Sequence, residues 1–226
     1  TDKNPILISQ GIDKTKKKKK KTGVKIDSIT CDFFMENPFY KDKKFKLNSL
    51  NYLKKILIST KILKIKYIVL PIVDLSSIKK NVEKKKLIRE LKAFNKLIPN
   101  KSKILFETDF NPTKNLEFIK HFDLKKFGIN YDTGNSAHLG NNVKSEMKTF
   151  FKYIDNIHLK DRKKNKTTVN LGKGDFDFKF FFKFIKSKKY SKNLILQTAR
   201  SSNNRHLYLL KKNRSFINSY LNELKT

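Results

Sequence analysis

The chain has 226 residues, room for one domain of moderate size or two small ones and ample for a substantial hydrophobic core. It carries 53 Lys and Arg against 20 Asp and Glu, a formal net charge of +33 with a pI near 10.1, which on its face points to a polyanion such as nucleic acid or an anionic membrane surface. A hydrophobic content of 38%, with 19 Phe, excludes a disordered basic tail, because such tails are poor in large apolar residues. Only five basic residues are Arg (Arg89, Arg162, Arg200, Arg205, Arg214), and the other 48 of the 53 are Lys. Base readout and bidentate phosphate recognition favour the planar Arg fork, whereas Lys is a solvated point charge. Abundant Lys, Asn and Ile are also what an AT-rich coding sequence produces, so the charge reads first as codon usage. The single cysteine, Cys31, excludes an internal disulfide and any Cys-built zinc site, fits a reducing compartment, and makes the cytoplasm the expected location. No apolar stretch approaches the ~18 residues of a membrane span. The apolar run Pro5 to Ile8 is too short for a signal peptide, and without secretion the sequons at Asn165 and Asn213 are chance matches. Thr1 in place of Met reads as a start inside a longer protein.

Taken in chain order, Lys16 to Lys21 reads as the solvated face of a helix. Short β-branched runs follow, at Val24 to Cys31, Lys66 to Val73, Ile104 to Glu107, Phe127 to Asp132, Ile154 to Leu159 and Leu194 to Gln197. Between them the apolar residues recur at helical spacing. Leu50, Leu53 and Leu57 precede the second strand, and Leu87, Leu91, Phe94 and Ile98 precede the third. Val143, Met147, Phe150 and Phe151 form another stripe, as do Phe178, Phe181, Phe182 and Ile185; Leu210, Ile217 and Leu221 mark a last helix. Six repeats of strand then helix imply parallel strands with right-handed crossovers. The near-continuous apolar run Tyr67 to Val73, with its turn at Asp74, fits a parallel strand buried on both faces, hence an α/β barrel or a doubly wound sheet.

The strand ends separate these two folds. No Gly-rich dinucleotide fingerprint or P-loop follows any strand. Instead the C-terminal ends carry Asp32, Asp74, Glu107, Asp132, His158 and Gln197 in turn. In a TIM barrel such ends converge on one face, where the active site sits. For Asp32 and Asp74 taken singly, an N-cap or turn role is the structural alternative. Two carboxylates and an imidazole, Glu107, Asp132 and His158, would make a divalent-metal site, since their donors suit Mn, Mg, Co or Zn. Gln197 stands at a fourth position. A metal there would polarise a carbonyl and stabilise an enediolate made by removing a proton from the adjacent carbon, with Glu107 as candidate base.

Phe106-Glu107-Thr108-Asp109, Asn130-Tyr131-Asp132-Thr133-Gly134-Asn135-Ser136, Ile157-His158-Leu159-Lys160-Asp161-Arg162, Leu171 to Phe178 and Leu196-Gln197-Thr198-Ala199-Arg200 follow one another in a fairly specific order and spacing. They resemble the successive signatures of the xylose isomerase-like TIM barrels, and more narrowly the sugar phosphate isomerase/epimerase group. The resemblance is strongest from Ile104 to Arg200 and extends more loosely from about Asn4 to the C-terminal helix. It implies a single-domain α/β protein over residues 1–226, a TIM (β/α)8-type barrel that performs metal-dependent isomerisation or epimerisation of a sugar or sugar phosphate. The family's ligands are a Glu, an Asp, a His and a second Glu, and the first three fall on Glu107, Asp132 and His158. Its substrate-contacting basic residue falls on Arg162, for which a surface ion pair with Asp161 is the structural alternative. Asn135 and Gly134 lie beside the implied site, Gly134 equally as a turn residue with positive φ, and Asp32 and Asp74 are further candidates for substrate contact. Gly172 and Gly174 read as a loop that lets the backbone approach a substrate, or as a simple turn.

Two departures qualify this picture. The second family Glu is replaced by Gln197, whose carbonyl oxygen can ligate a metal but which takes up no proton at neutral pH, so two-base epimerisation is not expected. The strand-helix-strand that opens the family barrel is absent, and the chain reads as a fragment truncated at its N-terminus to about six βα units. A degenerate, non-catalytic barrel is therefore one rival. Another is a DNA-repair enzyme of the endonuclease IV type, for which the charge would have a purpose. That reading needs a His where Asn135 stands, and four His (121, 138, 158, 206) cannot build its trinuclear zinc cluster; His121 and His138 read as surface or loop residues. A non-enzymatic nucleic-acid or membrane-surface binder built on Lys16 to Lys21 is a third, but its flanks lack the interleaved aromatics that stack on bases.

Overall fold

The computed structural model describes residues 4–201 and 203–222. Their strands are β1 (Ser28–Thr30), β2 (Tyr67–Ile72), β3 (Lys103–Thr108), β4 (Phe127–Asp132), β5 (Ile154–Leu159), β6 (Asp161–Arg162), β7 (Thr168–Val169) and β8 (Asn193–Leu196). The helices are α1 (Ser9–Thr22), α2 (Phe33–Glu36), α3 (Lys43–Leu63), α4 (Asn81–Ala93), α5 (Pro112–Ile119), α6 (Thr133–Leu139), α7 (Val143–Phe150), α8 (Phe178–Ser187) and α9 (His206–Asn222). One six-stranded sheet runs in the order β1, β2, β3, β4, β5, β8, while β6 and β7 form a separate antiparallel hairpin that the sequence pattern does not foretell. The ladders β1 to β2, β2 to β3, β4 to β5 and β5 to β8 are parallel, as the alternation of strand and helix requires. Among the described residues no helix is long and apolar enough to cross a membrane. The chain divides into two compact units, Thr1–Thr108 with Ile119–Gly128, and Asp109–Phe118 with Ile129–Thr226.

In the first unit the lysine run forms α1, closed by Gly23 in the left-handed region (φ 67°), whose N–H bonds to the Lys19 carbonyl. Lys19, Lys20 and Lys21 sit in the last turn, where they oppose the negative end of the helix dipole. Most of the run is solvated, as its composition implies. Gly11 lets this helix approach the Pro5–Leu7 turn, since a Cβ there would fall 1.9 Å from the Pro5 carbonyl oxygen. Ile12, Leu63 and Ile65 form a buried cluster with Ile6, Ile26 and Ile29 packed on it. Strand β1 is shorter than the sequence pattern suggests, because its ladder with β2 begins only at Ser28 opposite Tyr67. The ladder ends at Thr30 opposite Val69, which explains Pro71 inside β2. Residues 69 and 71 turn their main-chain groups to the same side. There the Val69 carbonyl accepts from Cys31 N–H and the Pro71 carbonyl from Ser76 Oγ, so the missing proline N–H breaks no ladder bond. Leu53 and Leu57 of α3 are buried and Leu50 is half-buried. Helix α4 starts where the Glu83 carboxylate accepts the N–H groups of Lys79 (2.8 Å) and Lys80 (3.1 Å). It ends at Ala93, earlier than its apolar stripe, and Phe94 and Ile98 reach the core through a 3-10 turn instead.

In the second unit, β5 is buried along its whole length, as is the Ile129 to Asp132 part of β4. The α8 stripe Phe178, Phe181, Phe182 and Ile185 is fully buried, and Phe181 packs on Tyr131 and Phe176. Helix α9 packs Phe216 on Phe178 and Tyr220 on Phe182, with Ile217 buried. Leu210, which the sequence pattern places on the same stripe, faces solvent, because the inward face runs through Asn213, Ile217 and their neighbours.

Candidate functional site

Side chains two residues apart on a strand share a face. Asn130 and Asp132 therefore line one face of β4, and Asn156 and His158 one face of β5, with Asp132 opposite His158 and Asn130 opposite Asn156 in the ladder. Asn156 Nδ2 donates to Asn130 Oδ1 (2.6 Å), and the Asn130 amide lies 3.1 Å from His158 Nδ1. All four residues are buried. Asn130 and Asn156 were not singled out from the sequence, although their i, i+2 spacing to Asp132 and His158 was legible.

The Asp132-Thr133-Gly134 motif works as a clip between two strand ends. Asp132 Oδ1 accepts the Asn135 N–H (2.9 Å) and so caps α6. Thr133 Oγ1 donates to the Lys160 carbonyl (2.5 Å) and accepts the Lys160 N–H (2.9 Å), tying α6 to the residue after β5. Gly134 is required for closeness and not for a positive φ: a Cβ would lie 2.6 Å from Lys160 Cγ. Behind the clip, Glu146 is buried and accepts from Tyr131 Oη (2.6 Å), Ser136 Oγ (2.5 Å) and Asn141 Nδ2 (2.9 Å). Burial pushes its carboxyl up despite these donors, and the Tyr131 hydroxyl is pushed well up by its own burial and by Glu146.

Asp161, read from the sequence only as an ion-pair partner for Arg162, has a different role. It is fully buried and accepts the N–H groups of Gly172 (2.9 Å), Gly174 (2.9 Å) and Phe176 (3.4 Å), so it organises the loop after the hairpin. Burial raises its carboxyl in spite of those bonds. Gly172 takes the left-handed turn (φ 77°), whereas Gly174 is needed for space beside Asp161. Arg162 is half-buried and its Nε donates to the Lys166 carbonyl (3.0 Å).

Glu107 is buried near the end of β3. Glu107, Asp132 and His158 each offer a ligand atom, and these atoms lie within 4.8 Å of one another. Gln197 follows β8, is exposed, and donates its backbone N–H to Leu159. Asn135 is half-buried in α6. Asp32 and Asp74 are exposed: Asp32 precedes α2 without a side-chain cap bond, and Asp74 opens a 3-10 turn at φ 52°. Cys31 beside them is buried, and burial with the Asp32 charge pushes its thiol up to about 12.

A search of the curated proteins finds no match. Solved structures do match. A xylose isomerase domain protein from Planctomyces limnophilus aligns over 96% of this chain and 85% of its own, at 17% identity and a TM-score of 0.80. D-allulose 3-epimerase from Methylomonas sp., in complex with D-allulose, covers 96% of this chain and 83% of its own, at 14% identity and a TM-score of 0.75. IolI with a bound zinc atom covers 80% and 73%, at 19% identity and a TM-score of 0.66. These likenesses establish the fold, and several of the matched structures are sugar epimerases. A family model described as xylose isomerase-like TIM barrel matches residues 3–219, and the chain belongs to that family.

Proposed function

We propose that the chain is a divalent-metal-dependent sugar or sugar-phosphate isomerase or epimerase that works through an enediolate. The observation that carries this reading is the buried group of Glu107, Asp132 and His158, whose ligand-type atoms cluster within 4.8 Å. The donor set fits a hard or borderline divalent ion, Mn, Mg, Co or Zn, with the Gln197 carbonyl oxygen as a fourth donor. A cation held there would supply the Lewis acid that polarises the substrate carbonyl and stabilises the enediolate. If His158 ligated through Nε2, its Nδ1–H would need an acceptor, and half-turns of both the Asn130 and Asn156 amides would bring Asn130 Oδ1 to that nitrogen while keeping a hydrogen bond between the two asparagines. Glu107 takes the proton from the carbon next to the carbonyl. Gln197 cannot return one from the other face, so the chemistry uses a single carboxylate base. Arg162, Asn135, Asp32 and Asp74 are the candidates for holding substrate hydroxyls. The single, buried thiol is in keeping with a reducing, cytoplasmic setting.

The test is elemental analysis of the purified chain together with turnover on a panel of ketoses and ketose phosphates. About one divalent ion per chain is expected in the parent and none in His158→Ala, with turnover in the parent abolished by Glu107→Gln. A parent that binds no metal, or a Glu107→Gln variant with full activity, overturns the proposal. A non-catalytic barrel, favoured by the exposed Gln197 in place of a carboxylate, predicts metal binding without turnover of any sugar in the panel.

A further inference from the structure

A small cavity of about 210 Å³ lies in the second unit between the end of β8 and the start of α9. Arg200, Arg205 and Lys212 line it together with Ser201, Asn170 and Tyr208, and no acidic residue is among its described lining. The lysine excess of the chain does not account for this composition, because two of only five arginines meet here. Arg205 lies over the Tyr208 ring, 4.8 Å from its centroid, which fixes the plane of the guanidinium fork. Ser201 Oγ accepts the Arg205 N–H (3.0 Å) and donates to Asn203 Oδ1 (2.6 Å), so the segment carrying Arg200 is pinned to the start of the helix. Two exposed arginines and a lysine, with hydroxyl and amide groups, around a volume this small suit a phosphate group and not a whole nucleotide.

The cavity also lies toward the same end of the parallel strands as the candidate chemistry. Ile195 pairs with His158 and Leu196 with Leu159, so Arg200 follows β8 at the strand end where His158 stands. It lies three positions after Gln197, a reach of at most about 10 Å. That is the length scale of a ketose phosphate.

We propose that this cavity holds the phosphate group of the substrate, so that the chain acts on a phosphorylated ketose in preference to the free sugar; the inference rests on the isomerase or epimerase reading above. Inorganic phosphate titrated into the full chain by calorimetry at about 0.15 M ionic strength should bind saturably. Binding should weaken about tenfold in Arg200→Gln and in Arg205→Gln, the effect of one lost charge-assisted contact, and stay unchanged in Arg214→Gln on the same helix. In turnover, the two cavity variants should raise KM for a ketopentose phosphate about tenfold and leave KM for the free ketopentose unchanged. Absence of phosphate binding, equal weakening by Arg214→Gln, or a parent that handles the free ketopentose as well as its phosphate overturns the proposal. The two readings fail separately. Turnover of free ketose without phosphate binding sinks the phosphate site and keeps the enzyme. Phosphate binding with the expected arginine dependence, but no turnover of any sugar, keeps the anion site and sinks its role as a substrate subsite along with the enzyme reading.

Discussion

Replacing Gly174 by Ala tests how the loop behind Arg162 is built. An added Cβ would stand 2.1 Å from Asp161 Oδ1 and 2.5 Å from the Arg162 carbonyl oxygen. Ordinary contacts begin near 3.4 Å, so the two sides must part by about an ångström. Neither side can yield alone. The Asp161 carboxylate is held by the Gly172, Gly174 and Phe176 N–H groups, and the Arg162 carbonyl accepts the Asp175 N–H (3.0 Å). Hydrogen bonds to a charged group contribute about 1.5–3 kcal/mol each, and water recovers part of what the opened loop loses, so a net cost of about 3 kcal/mol is expected. For a chain of this size that lowers Tm by roughly 6–12 °C. Gly23→Ala is the control of opposite kind, with nothing within 4 Å of its Cβ but a φ of 67°; it should cost only about 1–2 kcal/mol. Urea denaturation of both variants, and of Asp161→Ala with and without Gly174→Ala, measures the difference. The double variant should cost much less than the sum, because each change alone already releases the loop. A Gly174→Ala variant within about 0.5 kcal/mol of the parent, or full additivity with Asp161→Ala, would refute the argument.

Glu146→Gln removes a buried charge while keeping an acceptor for Tyr131 and Ser136. The Glu146 carboxyl is raised in the fold, so its contribution to stability is fully present below the unfolded value of about 4.3 and is lost as pH rises through the folded value. The stability of the Gln variant relative to the parent should therefore increase with pH from about 4.3 upward in urea titrations, and a pH-independent difference would contradict the assignment. Cys31, buried with its thiol pushed up to about 12, should resist a thiol reagent in the native chain at neutral pH and react at once in denaturant; rapid native labelling would show that its covering opens readily.

The strand positions, the parallel order and the three buried ligand-type residues were legible in the sequence because each depends on local pattern. Fully buried parallel strands are continuous apolar runs, and a chemically active residue at a strand's C-terminal end interrupts the run at a definite place. Glu107, Asp132 and His158 stand out for that reason. What surrounds them was not legible, because it depends on register and on loops returning from far along the chain. Asn130 and Asn156 gain meaning only when β4 and β5 are aligned so that Asp132 faces His158. Gly134 and Gly174 read either as turn residues or as room beside a substrate, until Lys160 and Asp161 are seen against them. Asp161 reads from the sequence as a surface partner for Arg162, and nothing in the sequence marks Glu146. Both are buried acceptors whose donors lie as many as fifteen residues away. The charge of +33 is fixed by composition, but whether any of it forms a binding site is a question of which cations meet. Only the fold brings Arg200, Arg205 and Lys212 around one cavity, because a single side chain cannot enclose a phosphate and the loop after β8 must return to the start of α9 to gather three.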